Sequence, residues 1–182
     1  AEQPPPETPE GLIKRHRAYL TAYQNAALAD HYEALVREMQ KAEKTAGGDG
    51  TLTTVVANSL LKLMAIKDEY EVARLYTDGT FQAALASQFE GDVRLDFYMA
   101  PPLLSRASSG EAPKKVRLGA WMMPAMRWLA HGKVLRGTPL DIFGRTTERR
   151  MERELIASYE ARVRELLPQV SAGNLKRVAE IL

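Results

Sequence analysis

The stretch TLTTVVANSLLKLMAIKDEYEVARLY, residues 51–76, decides the fold class. Leu52, Val56, Leu60, Leu63, Tyr70, Ala73 and Leu75 keep near-helical spacing, and Val55, Met64, Ile66 and Val72 widen the apolar surface. A period close to 3.6 residues predicts a helix, here from Leu52 to Tyr76. Its broad apolar face makes it more central than the helix before it. Thr51 can cap it, because its hydroxyl can accept from an otherwise unpaired amide of the first turn. Thr77-Asp78-Gly79 ends it.

Upstream, residues 11–45 repeat the pattern at Leu12, Tyr19, Tyr23, Ala26, Ala27, Leu35, Val36 and Met39, which predicts one long helix. AGGDG, residues 46–50, stops it, since its glycines are poor helix formers and supply turn geometry. Residues 1–10, with Pro4, Pro5 and Pro6 in a row, read as a flexible leader that favours an extended form.

Downstream, a short helix from Phe81 to Phe89 ends near Gly91. VRLDFYM, residues 93–99, then alternates. Val93, Leu95, Phe97 and Met99 share one face, and Arg94, Asp96 and Tyr98 the other. Period two marks a half-buried strand. Pro101 and Pro102 end it, and KKVRLG, residues 114–119, is a weaker partner across a polar, mobile tip. Such a two-stranded antiparallel ribbon is marginal alone and calls for helices to pack on.

Helix returns between Trp121 and Leu135, starting at Pro124, with Trp121 and Trp128 seven apart and able to face the core. After the turn segment LRGTPLDIFG, a helix runs from Thr146 to Leu167 with a stripe of Met151, Leu155, Tyr159, Val163 and Leu166. Arg150–Glu154 and Glu160–Arg164 have the spacing of supporting ion pairs. A last helix starts near Ala172 and is still running at Leu182, which, with the Pro-rich start, suggests a domain of a larger protein. The expected fold is mainly α, a single helical domain over residues 11–182 with a small two-stranded antiparallel β-ribbon.

The chain has 182 residues, 45% hydrophobic and 26% charged, a composition that supports one globular domain with a substantial core. No apolar run reaches about 18 residues, so no membrane span is expected. There is no cysteine, which excludes a disulfide, a thiolate metal site, a cysteine-held iron–sulfur cluster and a cysteine nucleophile within this chain. It also suits a cytoplasmic location. His16, His31 and His131 fall in no HxxxH or HExxH pattern and read as solvated or hydrogen-bonded residues. P-loop, GxGxxG, GxSxG and EF-hand patterns are absent as well.

Net charge is +2, unevenly spread. Residues 1–91 carry 9 Lys+Arg against 13 Asp+Glu, and residues 92–182 carry 16 against 10. A basic half can meet nucleic acid or an acidic neighbour, but Glu is interleaved throughout TERRMERELIASYEARVREL, as on a solvated helix face, which argues against nucleic acid. Arg149, Arg150 and Arg153 could grip phosphate or a neighbouring acidic surface, but their pairing with Glu152 and Glu154 favours a solvated helix face.

The densest polar segment is Lys67, Asp68, Glu69, Glu71 and Arg74. Lys67–Glu71 fits a local i,i+4 pair. Asp68 and Arg74 are the candidates for contact with another domain, because exposed ion pairs add little to a fold but can select a neighbouring surface. No catalytic, cofactor-binding or metal residue is assigned.

AYLTAYQNAALADHY (18–32), KLMAIKDEYEVARLYTDGTF (62–81), QFEGDVRLDFYMAPPLL (88–104) and LRGTPLDIFGRTTERRMERELIASYE (135–160) resemble the C-terminal domain of fused indolepyruvate:ferredoxin oxidoreductases, in the 2-oxoacid:ferredoxin oxidoreductase family. The resemblance spans about residues 11–182. The sequence departs where that family often has a histidine before the APPLL-like run, here Tyr98 and Met99, and it has Leu140 and Ile142 in the turn after Gly137. The resemblance implies a parent enzyme that oxidatively decarboxylates an aryl pyruvate to an acyl-CoA and passes electrons to ferredoxin. Thiamine diphosphate and iron–sulfur clusters would serve it elsewhere in the parent. This chain is then expected to be a noncatalytic accessory domain that supports domain packing or partner docking. The alternatives are an independent helical interaction module and a nucleic-acid binder.

Overall fold

The computed structural model describes residues 8–91, 93–99 and 116–182. Most of the proline leader, the end of the first strand at Pro101 and Pro102, and the polar tip of the ribbon lie outside these residues. Among the described residues there are eight α-helices and one two-stranded antiparallel sheet, so the chain is mainly helical with a minor ribbon. It divides into two compact units, Ala1–Lys67 with Val134–Leu182, and Asp68–Lys133.

The first unit contains α1 (Pro9–Tyr23), α2 (Ala26–Thr45) and α3 (Thr51–Met64), joined by α7 (Thr147–Leu166) and α8 (Leu175–Ile181). α3 packs on α1, α2, α7 and α8 and is the central helix. Its Leu52, Val56, Ala57 and Leu60 are buried with Ile13, Leu20, Tyr32, Val36, Met39, Val163 and Val178. That confirms the centrality read from residues 51–76, though over a shorter span.

The structure splits both long helices expected from the periodicity. Residues 11–45 break at Gln24 and Asn25, where Asn25 is extended and its side chain accepts from the Leu28 amide at 2.9 Å. Residues 52–76 break after Met64, and α4 (Glu69–Thr77) begins behind Asp68, which accepts from the Glu71 amide at 2.8 Å. In both cases a short polar side chain offers the backbone an N-cap, and the chain turns there. Lys67 therefore precedes the helix that carries Glu71, and the two do not form the expected helical pair.

Thr51 is the first residue of α3 rather than its cap. Gly50, at φ +96°, holds the cap position with no side chain to offer. The acceptor comes from α2. Glu43, 2% exposed, takes the amides of Gly50 at 3.0 Å, Leu52 at 2.9 Å and Thr53 at 2.8 Å, and the Thr53 hydroxyl at 2.5 Å. A carboxylate at a helix N-terminus is favoured by the helix dipole as well as by these bonds. A Cβ on Gly48 would lie 2.4 Å from Glu43 Cγ, so the glycine loop is shaped to admit this carboxylate.

In the second unit α4, α5 (Thr80–Gln88), β1 (Phe97–Met99), β2 (Val116–Leu118) and α6 (Met122–His131) surround a small core of Ala73, Phe97, Leu118 and Met126. Tyr76 meets Phe81 and Phe97 edge-on, with ring centroids 4.9 and 5.4 Å away. β1 pairs with β2 antiparallel, Phe97 opposite Leu118. The first strand is three residues long, not seven, and Val93 is exposed. Its alternation nonetheless holds at Phe97, which is buried, and Tyr98, which is exposed.

α6 starts at Met122, with Pro124 its third residue, and gives way at Gly132–Leu135 to a 3-10 helix. Trp121 and Trp128 do not enter a core, being 62% and 82% exposed, because Met126 supplies the buried face of α6. The stripe of α7 is buried only in its second half. Val163 and Leu166 are inside, whereas Met151 and Leu155 are exposed. α8 begins at Leu175, three residues later than Ala172.

Candidate functional site

Two polar regions singled out in the sequence have a defined geometry. In the second unit, Asp68 is buried at 7% exposure and caps α4. Glu71, 1% exposed, is held by Arg74 through two bonds of 2.7 and 2.8 Å, and Arg74 reaches Asp78 at 3.2 Å. Asp78 in turn accepts from the Thr80 amide and hydroxyl at 3.0 and 2.5 Å. Burial alone would raise the pKa of Asp78, but the Thr80 bonds and the Arg74 charge outweigh it and hold the carboxyl below its ordinary value. These charges are thus not the exposed cluster that the sequence suggested. Asp68 and Arg74 both brace α4, and Arg74 and Asp78 join its end to the start of α5.

The other region belongs to the first unit. After Leu135 the segment RGTPLDIFGR folds around the buried carboxylate of Asp141, which accepts from the Gly137 amide at 2.9 Å and the Gly144 amide at 2.9 Å. Gly137 has φ +77°, and a Cβ on Gly144 would sit 2.2 Å from Asp141 Oδ2. Both glycines are therefore required by the turn. Arg136 anchors it to the end of α1, donating to the Tyr23 carbonyl at 2.8 Å and lying 3.8 Å from the centroid of its ring.

Beside the turn is an open cleft of about 390 Å³ lined by Gly137, Pro139, Asp141 and three arginines, Arg145, Arg150 and Arg153. Each guanidinium donates to a backbone carbonyl. Arg145 bonds Pro139, Arg150 bonds Arg145 at 3.2 Å, and Arg153 bonds Gly144 at 3.0 Å. The expected Arg150–Glu154 pair does not form. Arg149, grouped with the others in the sequence, instead grips Glu152 at 2.8 and 3.0 Å. Arg145 was not foreseen as a member. Its signal is its place directly after Gly144, where the turn hands over to Thr146, the cap of α7.

The histidines are all hydrogen-bonded. His16 Nδ1 lies 2.7 Å from the Tyr32 hydroxyl, which also reaches the Ala57 carbonyl at 3.2 Å. Burial pushes the Tyr32 phenol well above its ordinary pKa. His31 Nε2 meets Glu160 at 2.7 Å, which is shared with Arg164 at 3.2 Å as the sequence spacing foretold. His131 Nδ1 lies 2.6 Å from the Arg127 carbonyl. Among the described residues no three His, Asp or Glu side chains gather as a metal site, and no helix is long and apolar enough to cross a membrane.

The chain belongs to the Family of unknown function (DUF6537), whose family model matches residues 9–182. No curated protein and no solved structure matches it.

Proposed function

We propose that this member of the DUF6537 family is a noncatalytic accessory domain of an indolepyruvate:ferredoxin oxidoreductase, and that it docks against other domains of that enzyme. Thiamine diphosphate, iron–sulfur clusters, coenzyme A and ferredoxin then belong to the parent enzyme and its chemistry. The sequence resemblance over four long segments supports the choice of parent. Docking is carried by one observation, the exposure of Trp121, at the N-cap of α6, and of Trp128 within that helix. Large aromatic side chains left in water are unfavourable alone and are enriched where a partner covers them. Asp68 and Arg74 act in this reading as braces of α4, which packs on the helix that presents the two tryptophans.

The test uses the protein encoded by the complete natural reading frame. It is expected to carry thiamine diphosphate and iron–sulfur clusters and to oxidise indolepyruvate with coenzyme A and ferredoxin. Trp121→Ser with Trp128→Ser should impair assembly or turnover while the 182-residue chain melts at an unchanged temperature. A complete protein lacking these cofactors would refute the choice of parent. Unchanged assembly and turnover in the double variant would refute the docking face.

A further inference from the structure

Three guanidiniums line one concave surface, and none has a carboxylate partner among the described residues. Acids are close in sequence, Glu148, Glu152 and Glu154, yet Arg149 alone takes one of them. A carbonyl occupies one N–H of a guanidinium that has five, and it leaves the positive charge uncompensated. The only acid in the lining, Asp141, accepts from two amides of its own turn. The cleft therefore has a formal charge of about +2 with at least two planar forks still able to donate. Backbone bonds hold each fork in place, which lowers the ordering cost of binding.

From this geometry we propose that the cleft formed by the 137–145 turn and the start of α7 binds the phosphate group of a small molecule, a phosphomonoester or diphosphate. A dianion matches the net charge, and several oxygens around one phosphorus suit guanidiniums arriving from separate backbone positions. The volume exceeds that of phosphate alone and falls within the usual range for small-ligand sites. The exposed Leu140 and Ile142 of the same turn leave apolar surface for the rest of such a molecule. The site is independent of the docking face, since its residues all lie in the first unit.

The test is calorimetric titration of the 182-residue chain with inorganic pyrophosphate at low salt, followed by adenosine 5′-monophosphate and, separately, a poly-glutamate peptide. Pyrophosphate is expected to bind saturably at one site. Arg150→Gln and Arg153→Gln should each weaken it by about tenfold, the loss of one charge-assisted fork. Arg162→Gln, an exposed change on the same helix, should leave it unaltered. Arg150→Lys and Arg153→Lys, which keep the charge and lose the fork, replace the Gln variants should those fail to fold. Tighter binding of the nucleotide than of pyrophosphate would assign the source as an organic phosphomonoester, and the reverse a diphosphate. Absence of saturable pyrophosphate binding, binding indifferent to both arginine changes, or binding of poly-glutamate alone would each overturn the proposal.

Discussion

Glu43 gathers four hydrogen bonds at the start of α3, and Glu43→Ala tests what they contribute. The substitution removes the acceptor for three amides and one hydroxyl at the start of α3. Gly50 is half-buried and can take water in exchange, whereas Leu52 and Thr53 are at most 1% exposed. Two buried N–H groups without a partner cost about 1–3 kcal/mol each, so the expected loss is about 3 kcal/mol. For a chain of this size that lowers the melting temperature by about 6–12 °C. Glu43→Gln keeps one acceptor oxygen but turns an NH2 toward groups that are themselves donors, and it should lose about 2 kcal/mol. Glu38→Ala, an exposed change on the same helix, should stay within about 0.5 kcal/mol. Urea unfolding followed by far-ultraviolet circular dichroism measures all three. A loss below about 1 kcal/mol in Glu43→Ala would show that water replaces the carboxylate, and the argument from buried amides would fail.

Other substitutions probe the second unit. Asp68→Ala removes the cap of α4 and should destabilise by about 1 kcal/mol, read from the same unfolding curves. Gly132→Ala places a Cβ 2.8 Å from Tyr70 Cε1, and ring displacement should cost about 1–3 kcal/mol. Asp78 has a folded pKa below its ordinary value, so its contribution is present above about pH 4 and is lost as pH falls through the lowered folded value. Carboxyl chemical shifts of Asp78 should titrate below the ordinary Asp midpoint, and Asp78→Asn should remove the acid-induced loss assigned to it.

The helical class, the central role of residues 52–64 and the antiparallel ribbon were legible because each rests on burial of apolar residues in a regular period. The two helix breaks were not. At Asn25 the buried stripe shifts, from Leu20 and Tyr23 to Ala29 and Tyr32 with Ala27 and Asp30 exposed, and a broad count of apolar spacings passes over the shift; at Asp68 a cap ends the run. A cap decides the matter through about 1 kcal/mol of local hydrogen bonding, which the hydrophobic pattern does not register. DxxE at Asp68 and Glu71 is the sequence signal of the second break, a cap and the third helical residue that also resemble a charge cluster. The tryptophans failed for the opposite reason. A spacing of seven places Trp121 and Trp128 on one stripe but does not say whether that stripe faces inward, and Met126 supplies the buried face.

Arginine pairing shows how a local rule is overruled. Arg150 and Glu154 have the spacing of an i,i+4 pair, yet Arg150 donates to the carbonyl of Arg145. Such a pair on an exposed helix is worth only about 0.3–0.5 kcal/mol, so a nearby carbonyl fixed in position competes with it readily. What fixes the carbonyls is the turn, and Asp141 fixes the turn by accepting from Gly137 and Gly144. Which arginines line the cleft thus follows from a buried aspartate and two glycines rather than from the helix that carries two of the three. The sequence RGTPLDIFGR contains every element of that arrangement, but only closure of the loop on Asp141 brings Arg145 beside Arg150 and Arg153.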